Sequence, residues 1–377
     1  MTVPRERLVA EIKAANDQKK EILARRDGVY GADRPRIGSY LENIALPGLF
    51  GFDMNDYYAD PQLAMDVELR KKLFWLDNSL DDSPAELVIG AGSMYYDMTL
   101  FGLDISYQPD GVPIFARHAL SGDPDLSALK PFDFYDTGEM PMVHKRFSEL
   151  NRISQELYGG EVVIAFPDFY RGPLDIAIQM RGYDNFVSDC AEDPEYADHL
   201  MSYIVSERKR FNDLSAPLRE PPAGAPTTFI ADDWVNIPFI SPALFEKRVL
   251  PAYRKIQENE GAVTGFHTCG VLVPIIESLL GIFSAMTVLD VSGWNDAVAL
   301  DRLVDKSISF QLAFINTFVL CSTPEEHRRK LEEVKKIARG RKLTMSAQAI
   351  VNLSGSMEET IFAMNRFIAL ARDIMSE

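Results

Sequence analysis

The feature that most restricts this chain is an alternation. Short apolar runs of strand length are separated by longer amphipathic runs of helix length over most of its 377 residues. Strand-like runs fall at 36–40, 86–90, 161–166, 227–231, 262–266, 285–289, 308–314 and 342–346, and helical spacing is clearest at 61–76, 241–258, 271–280, 323–338 and 356–376. Strands buried on both faces read as uninterrupted apolar runs, and strict alternation with helices implies a parallel sheet. Eight strand candidates without a Gly-rich nucleotide turn predict a closed (β/α)8 TIM barrel rather than an open doubly wound sheet.

Local signals agree with this division. Ser241 precedes Pro242, and Ser322 or Thr323 precedes Pro324-Glu325-Glu326, both helix-start patterns. Near the N-terminus Leu8, Val9, Ile12, Ala15, Ile22 and Leu23 fall at helical spacing before Gly28, so residues 1 to about 30 read as a helical extension. Residues 103–146 are rich in Pro, Asp and Gly with little periodicity, which predicts a long excursion over the barrel mouth. No repeat or linker divides the chain, so a single domain over 1–377 is expected.

Composition excludes several function classes. The net charge of −17 argues against nucleic acid or an anionic membrane as partner, since both are bound through a surplus of Lys and Arg. Three cysteines, Cys190, Cys269 and Cys321, are too few and too irregular for a disulfide framework. The charged N-terminal stretch predicts neither a signal peptide nor an anchor, and no apolar run is long enough to span a membrane. The cytoplasm is the expected location, and homodimerisation is left open.

Active sites of (β/α)8 barrels lie at the C-terminal ends of the strands. At those positions stand Asp168, Asp232-Asp233, His267-Thr268-Cys269-Gly270, Asp290, Asn316 and Gln348. Imidazole and thiolate are preferred zinc ligands, and residues two apart at a strand end point to the same side. A lone His-x-Cys pair is also compatible with a core histidine and a small buried cysteine. Cys321, after the seventh strand, is a candidate third ligand or simply a helix-start residue. Cys190 reads as core packing. Adjacent carboxylates repel, so either Asp232 or Asp233 is a candidate acid or base; alternatively Asp233 caps a turn and Asp232 is solvated. Tyr96, Trp234, Asp290, Asn316 and Gln348 are candidate substrate-binding residues, with Tyr95 and Phe314 able to add apolar wall; an aromatic in such a position is more often simply core.

Taken together these motifs resemble the uroporphyrinogen decarboxylase superfamily, particularly its cobamide-dependent methyltransferase branch. The stretches carrying the resemblance are Gly172-Pro173-Leu174-Asp175-Ile176-Ala177 leading to Arg181-Gly182-Tyr183, and Ala231-Asp232-Asp233 followed by Ile240-Ser241-Pro242-Ala243-Leu244-Phe245. Phe266-His267-Thr268-Cys269-Gly270 and Cys321-Ser322-Thr323-Pro324-Glu325-Glu326 complete the set. The resemblance implies a (β/α)8 barrel with zinc on a His-x-Cys pair and a further cysteine near the end of the last strand. It also implies methyl transfer between a small-molecule donor or thiol acceptor and a corrinoid protein. His267 and Cys269 would then be zinc ligands.

Two departures qualify it. Arg34-Pro35-Arg36-Ile37-Gly38-Ser39-Tyr40 runs into Leu41-Glu42-Asn43 without the arginine motif that grips porphyrinogen carboxylates, which argues against the decarboxylase proper. The last strand, Thr344-Met345-Ser346-Ala347-Gln348-Ala349-Ile350, lacks the third cysteine, leaving Cys321 or Gln348 to serve. No Asp-x-His-x-x-Gly segment occurs, so any corrinoid is expected to arrive on a partner protein. The alternatives are a metal-independent decarboxylase or lyase using Asp232 and Asp233, and a non-catalytic module that binds a corrinoid protein.

Overall fold

Eight short parallel strands, each followed by helix, carry the architecture. The computed structural model describes residues 3–30, 34–109, 113–115, 118–122, 125–126, 129–219, 226–352 and 356–376. Its barrel strands are β1 (Arg36–Leu41), β2 (Val88–Gly90), β3 (Val163–Ala165), β4 (Thr227–Ala231), β5 (Ala262–Thr268), β6 (Val288–Val291), β7 (Ser309–Phe314) and β8 (Leu343–Ile350). A six-stranded parallel ladder runs in the order β1-β8-β7-β6-β5-β4, and β2 pairs separately with β3.

Two seams flank the β2–β3 pair. At one, the chain beyond β3 meets β4: Gly172 N donates to Ala231 O at 2.6 Å and Ala231 N to Tyr170 O at 2.9 Å. At the other, Asp82 N donates to Ile37 O at 2.6 Å, and Ile37 N donates to Asp82 Oδ2 at 3.0 Å. The fold is a (β/α)8 barrel whose ladder is interrupted at these seams.

Alternation along each strand sends one set of side chains to the helices and the other to the bore. The helix-facing residues Ile37, Ile89, Ile164, Ile230, Leu289 and Phe310 are all buried. Bore-facing residues are not: Tyr40 is 41%, Val88 38%, Val163 45% and Phe229 38% exposed. The bore side of these strands is thus less tightly covered than the helix side.

The N-terminal helix Leu8–Tyr30 lies against Pro61–Asn78, with Leu8, Val9 and Ile12 in an apolar layer shared with Met65, Leu69, Ile89 and Ile164. Burying three such side chains contributes roughly 1.5–3 kcal/mol each. Lys19 pairs with buried Asp81, and Arg26 and Arg372 meet at Asp82, 2.6 and 2.9 Å away. The extension is thereby fixed to the loop before β2, and the same Asp82 also holds the last helix, Met357–Ser376.

The excursion expected over 103–146 is shorter than the sequence suggested. Ile105–Ser106 pairs antiparallel with Ile114–Phe115, and helix begins at Met140, with Gly138 in a positive-φ turn just before it. The sixth strand lies at 288–291 rather than 285–289, because Phe283 to Met286 form a turn. The expected cap after β7 is present: Thr323 and Glu326 form a reciprocal capping box at Pro324–Ala338. No described helix is long and apolar enough to cross a membrane.

Candidate metal centre

Strand register assembles the centre. Ala231 on β4, His267 on β5 and Asp290 on β6 are direct neighbours across the ladder, so the histidine and Asp290 project into the bore side by side. The pleat separates the two aspartates that follow β4, since successive side chains leave on opposite faces. Asp233 turns to the bore and Asp232 into the core.

Asp233, His267 and Cys269 bring one ligand atom each to within 4.8 Å of one another. His267 Nε2 is 3.2 Å from Asp233 Oδ1 and 3.7 Å from Cys269 Sγ. Cys269 N donates to Asp233 Oδ1 at 3.3 Å, tying the two strand ends. On the far side of the ring, His267 Nδ1 is 3.0 Å from Asp290 Oδ2. That contact is electrostatic and poorly aligned, for His267 Nδ1 and Asp290 Oδ1 are buried without a well-directed hydrogen bond.

Close backbone approaches hold this geometry. A Cβ at Gly270 would lie 2.3 Å from Val235 O, and one at Gly172 would lie 2.1 Å from Asp232 Oδ2. Thr268 Oγ1 donates to Val235 O at 2.9 Å, while Asn295 Nδ2 donates to Gly270 O at 2.7 Å. The turns after β4, β5 and β6 are therefore latched to each other.

Burial works against charge on the His267 ring, but Asp233, Asp290 and Cys269 outweigh it and push its pKa up to about 12. Burial likewise opposes charge on Asp233, yet His267 and Cys269 hold its carboxyl down at about 2. The Cys269 thiol is pushed up, mainly by burial. Zinc bonds of about 2.0–2.3 Å in a tetrahedron put N and O ligands about 3.4 Å apart and N and S ligands about 3.6 Å apart. The observed 3.2 and 3.7 Å match those edges. Asp290 stands where ligating histidines meet a carboxylate on their second nitrogen. Imidazole, thiolate and carboxylate are all zinc donors, so the chemistry of the set fits that ion.

Other residues singled out in the sequence lie elsewhere. Cys321 ends the short helix Asn316–Cys321, exposed, and its thiol does not join the group; Asp233 takes the third place instead. Asp232 is fully buried and accepts from Leu174 N at 3.1 Å, Asp175 N at 2.8 Å and Tyr253 Oη at 2.9 Å. Burial and Asp175 push its carboxyl well up, and it anchors Pro173–Arg181 rather than meeting the bore. Tyr96 is core, donating to Asp168 O at 2.6 Å, and Phe314 packs outward on Phe318 and Phe367. Trp234 stacks on Tyr183 at 5.4 Å. Gln348 sits at a bulge: Ser39 pairs with Ala347 but Leu41 with Ile350, and Ala349 takes φ 55°.

Asn316 lines a cavity of about 280 Å³ at the ends of β1, β7 and β8, with Glu42, Tyr58, Tyr95 and Tyr107. Sequence reasoning missed Glu42, Tyr58 and Tyr107. Glu42 follows the first predicted strand and was open to the strand-end rule; the two tyrosines come from loop and helix with no pattern to mark them. A second cavity, about 310 Å³, lies between the ends of β6 and β7 and Pro324–Ala338, walled by Trp294, Phe314 and Phe318.

The structure of a methyltransferase from Methanosarcina mazei superposes with a TM-score of 0.63 at 15% identity, covering 91% of this chain and 94% of that one. At that identity the likeness is one of fold. No curated protein matches in sequence. The family model for uroporphyrinogen decarboxylase (URO-D) matches residues 36–355. That span opens on the first residue of β1 and passes the end of β8, so it takes in all eight strands and every side chain of the metal centre. On that match the chain belongs to the uroporphyrinogen decarboxylase family.

Proposed function

We propose that this protein is a zinc-dependent methyltransferase, moving a methyl group between a small molecule and a corrinoid held by a partner protein. The observation that carries the reading is the Asp233–His267–Cys269 group, whose ligand atoms lie within 4.8 Å of one another, with Asp290 beside the second imidazole nitrogen. Bound there, zinc would supply Lewis acidity, holding a substrate thiol as thiolate or stabilising charge on a demethylated oxygen or sulfur.

The protein's own residues hold and orient. Asp233 would supply a second anionic ligand beside Cys269, a carboxylate giving the charge expected from another cysteine. Asp290 lies 3.0 Å from Nδ1 on the side of the His267 ring away from the other two donors and offers the imidazole a negative charge there. Cys269 is exposed at the strand ends, where substrate and a partner carrying the corrinoid would approach.

The lyase alternative is weakened by the division of its acid pair. Asp232 is saturated by three donors in the core and has no face toward substrate. Elemental analysis of purified protein tests the proposal: about one zinc per chain is expected, lost on His267→Ala. Wild-type protein that holds no zinc under metal-replete conditions would remove the support for methyl transfer.

A further inference from the structure

We propose that the cavity beside Glu42 is the seat of a cationic, ammonium-type head group of the substrate, with the methyl-exchanging atom reaching toward the metal centre. Only the second half rests on the methyl-transfer reading. The cavity holds about 280 Å³ and is lined by Glu42, Tyr58, Tyr95, Tyr107, Met54 and Met94 among others. A water's share of liquid volume is about 30 Å³, so a group of several heavy atoms fits.

Charge selects the occupant. Among the described lining residues there is no Lys, Arg or His, and Glu42 is the one acidic group. Lys71 is the basic group that acts on its carboxylate, but it donates to Asn43 Oδ1 at 2.6 Å and makes no described ion pair with Glu42. Burial raises the Glu42 carboxyl, and Lys71 only partly offsets this. Toward the bore, Arg171 is already taken by Asp97 at 3.0 Å and Asp175 at 2.7 Å. An anionic head group in this cavity would therefore meet the Glu42 carboxylate with no cationic side chain in the described lining. A cation meets a carboxylate that lacks one.

The apolar lining suits an alkylated cation rather than a bare ion. The Tyr107 hydroxyl is occupied by Glu139, the Tyr58 and Tyr107 rings pack at 4.2 Å, and aromatic rings, Met54, Met94, Ile44 and Val351 supply apolar lining beside the amides of Asn43 and Asn316. Aromatic surface attracts methylated ammonium groups, whose charge is spread over their methyls. Position links the two sites. Glu42 follows β1, Asn316 follows β7 and Ala349 belongs to β8, across the mouth from β4 to β6. Tyr95, which lines the cavity, feels the charges of both Glu42 and Asp233.

The test is calorimetric titration of the full chain, with and without zinc. Tetramethylammonium chloride is the probe, with tert-butanol and pivalate as uncharged and anionic counterparts. One tetramethylammonium per chain is expected, bound more tightly than either counterpart and whether or not zinc is present. Glu42→Gln should weaken it at least about fivefold, the effect of a unit charge at contact even in water-like dielectric. Asn316→Lys, which places a cation in the cavity, should weaken it as much and carries the test if Glu42→Gln fails to fold. Absent binding, equal binding of tert-butanol, or no effect of either variant in folded protein would overturn the proposal. Zinc without cation affinity sinks this seat alone, whereas cation affinity without zinc sinks the methyl-transfer reading and leaves the seat.

Discussion

Arg208 staples the seam between β3 and β4, and its removal should be among the most costly single changes. The guanidinium is buried in Pro194–Ser215 and grips Glu260 with two bonds of 2.8 and 3.0 Å. It also donates to Arg171 O at 2.8 Å and Phe229 O at 3.2 Å, one carbonyl on each side of the seam. Arg208→Met keeps much of the side-chain volume but leaves the Glu260 carboxylate buried without its partner. Breaking a buried pair in this way costs about 3–5 kcal/mol, against a total stability of about 5–15 kcal/mol for an ordinary domain. Arg208→Met/Glu260→Met removes both charges and should recover most of the loss, because the desolvation penalty disappears with them. Equilibrium urea unfolding, followed by the fluorescence of the three tryptophans, measures all three proteins. A single variant that costs under about 1 kcal/mol, or a double variant no more stable than the single, would refute the reasoning.

Asp290→Asn should lower zinc affinity about 10–100-fold, as loss of a carboxylate behind a ligating histidine does, and chelator competition would show it. Unchanged affinity would remove Asp290 from the centre. Cys321→Ser should leave zinc content intact and stability within about 0.5 kcal/mol, while Cys269→Ser and Asp233→Ala should each deplete zinc. Asp301, paired with Lys306 and Arg341, has its carboxyl held below the usual 3.8 despite partial burial. Its stabilisation is complete above that unfolded value and is lost as pH falls through the lower folded one. Asp301→Asn should therefore flatten the acid limb of a stability–pH curve, and an unchanged limb would count against it.

The sequence by itself determined the barrel, because eight apolar runs alternating with amphipathic ones leave few other ways to bury both faces of a sheet. It also picked out His267 and Cys269, two residues apart on one strand, since a period of two needs no tertiary information to put them on one face. The third member was not legible. Asp233 lies 34 residues before His267 in the chain, and only the β4–β5 register, Ala231 against His267, brings it to the pair. The same register turned Asp290 from a general substrate-binding candidate into the partner of His267 Nδ1. Pleating decided between the adjacent aspartates, committing Asp232 to the core through Tyr253 and Asp233 to the bore. Cys321 looked a better third ligand than Gln348 because it is a potential thiolate in a loop after the seventh strand, but a donor acts only within bonding distance. That distance was decided by the closure of β4, β5 and β6 around one bore, which local sequence does not encode.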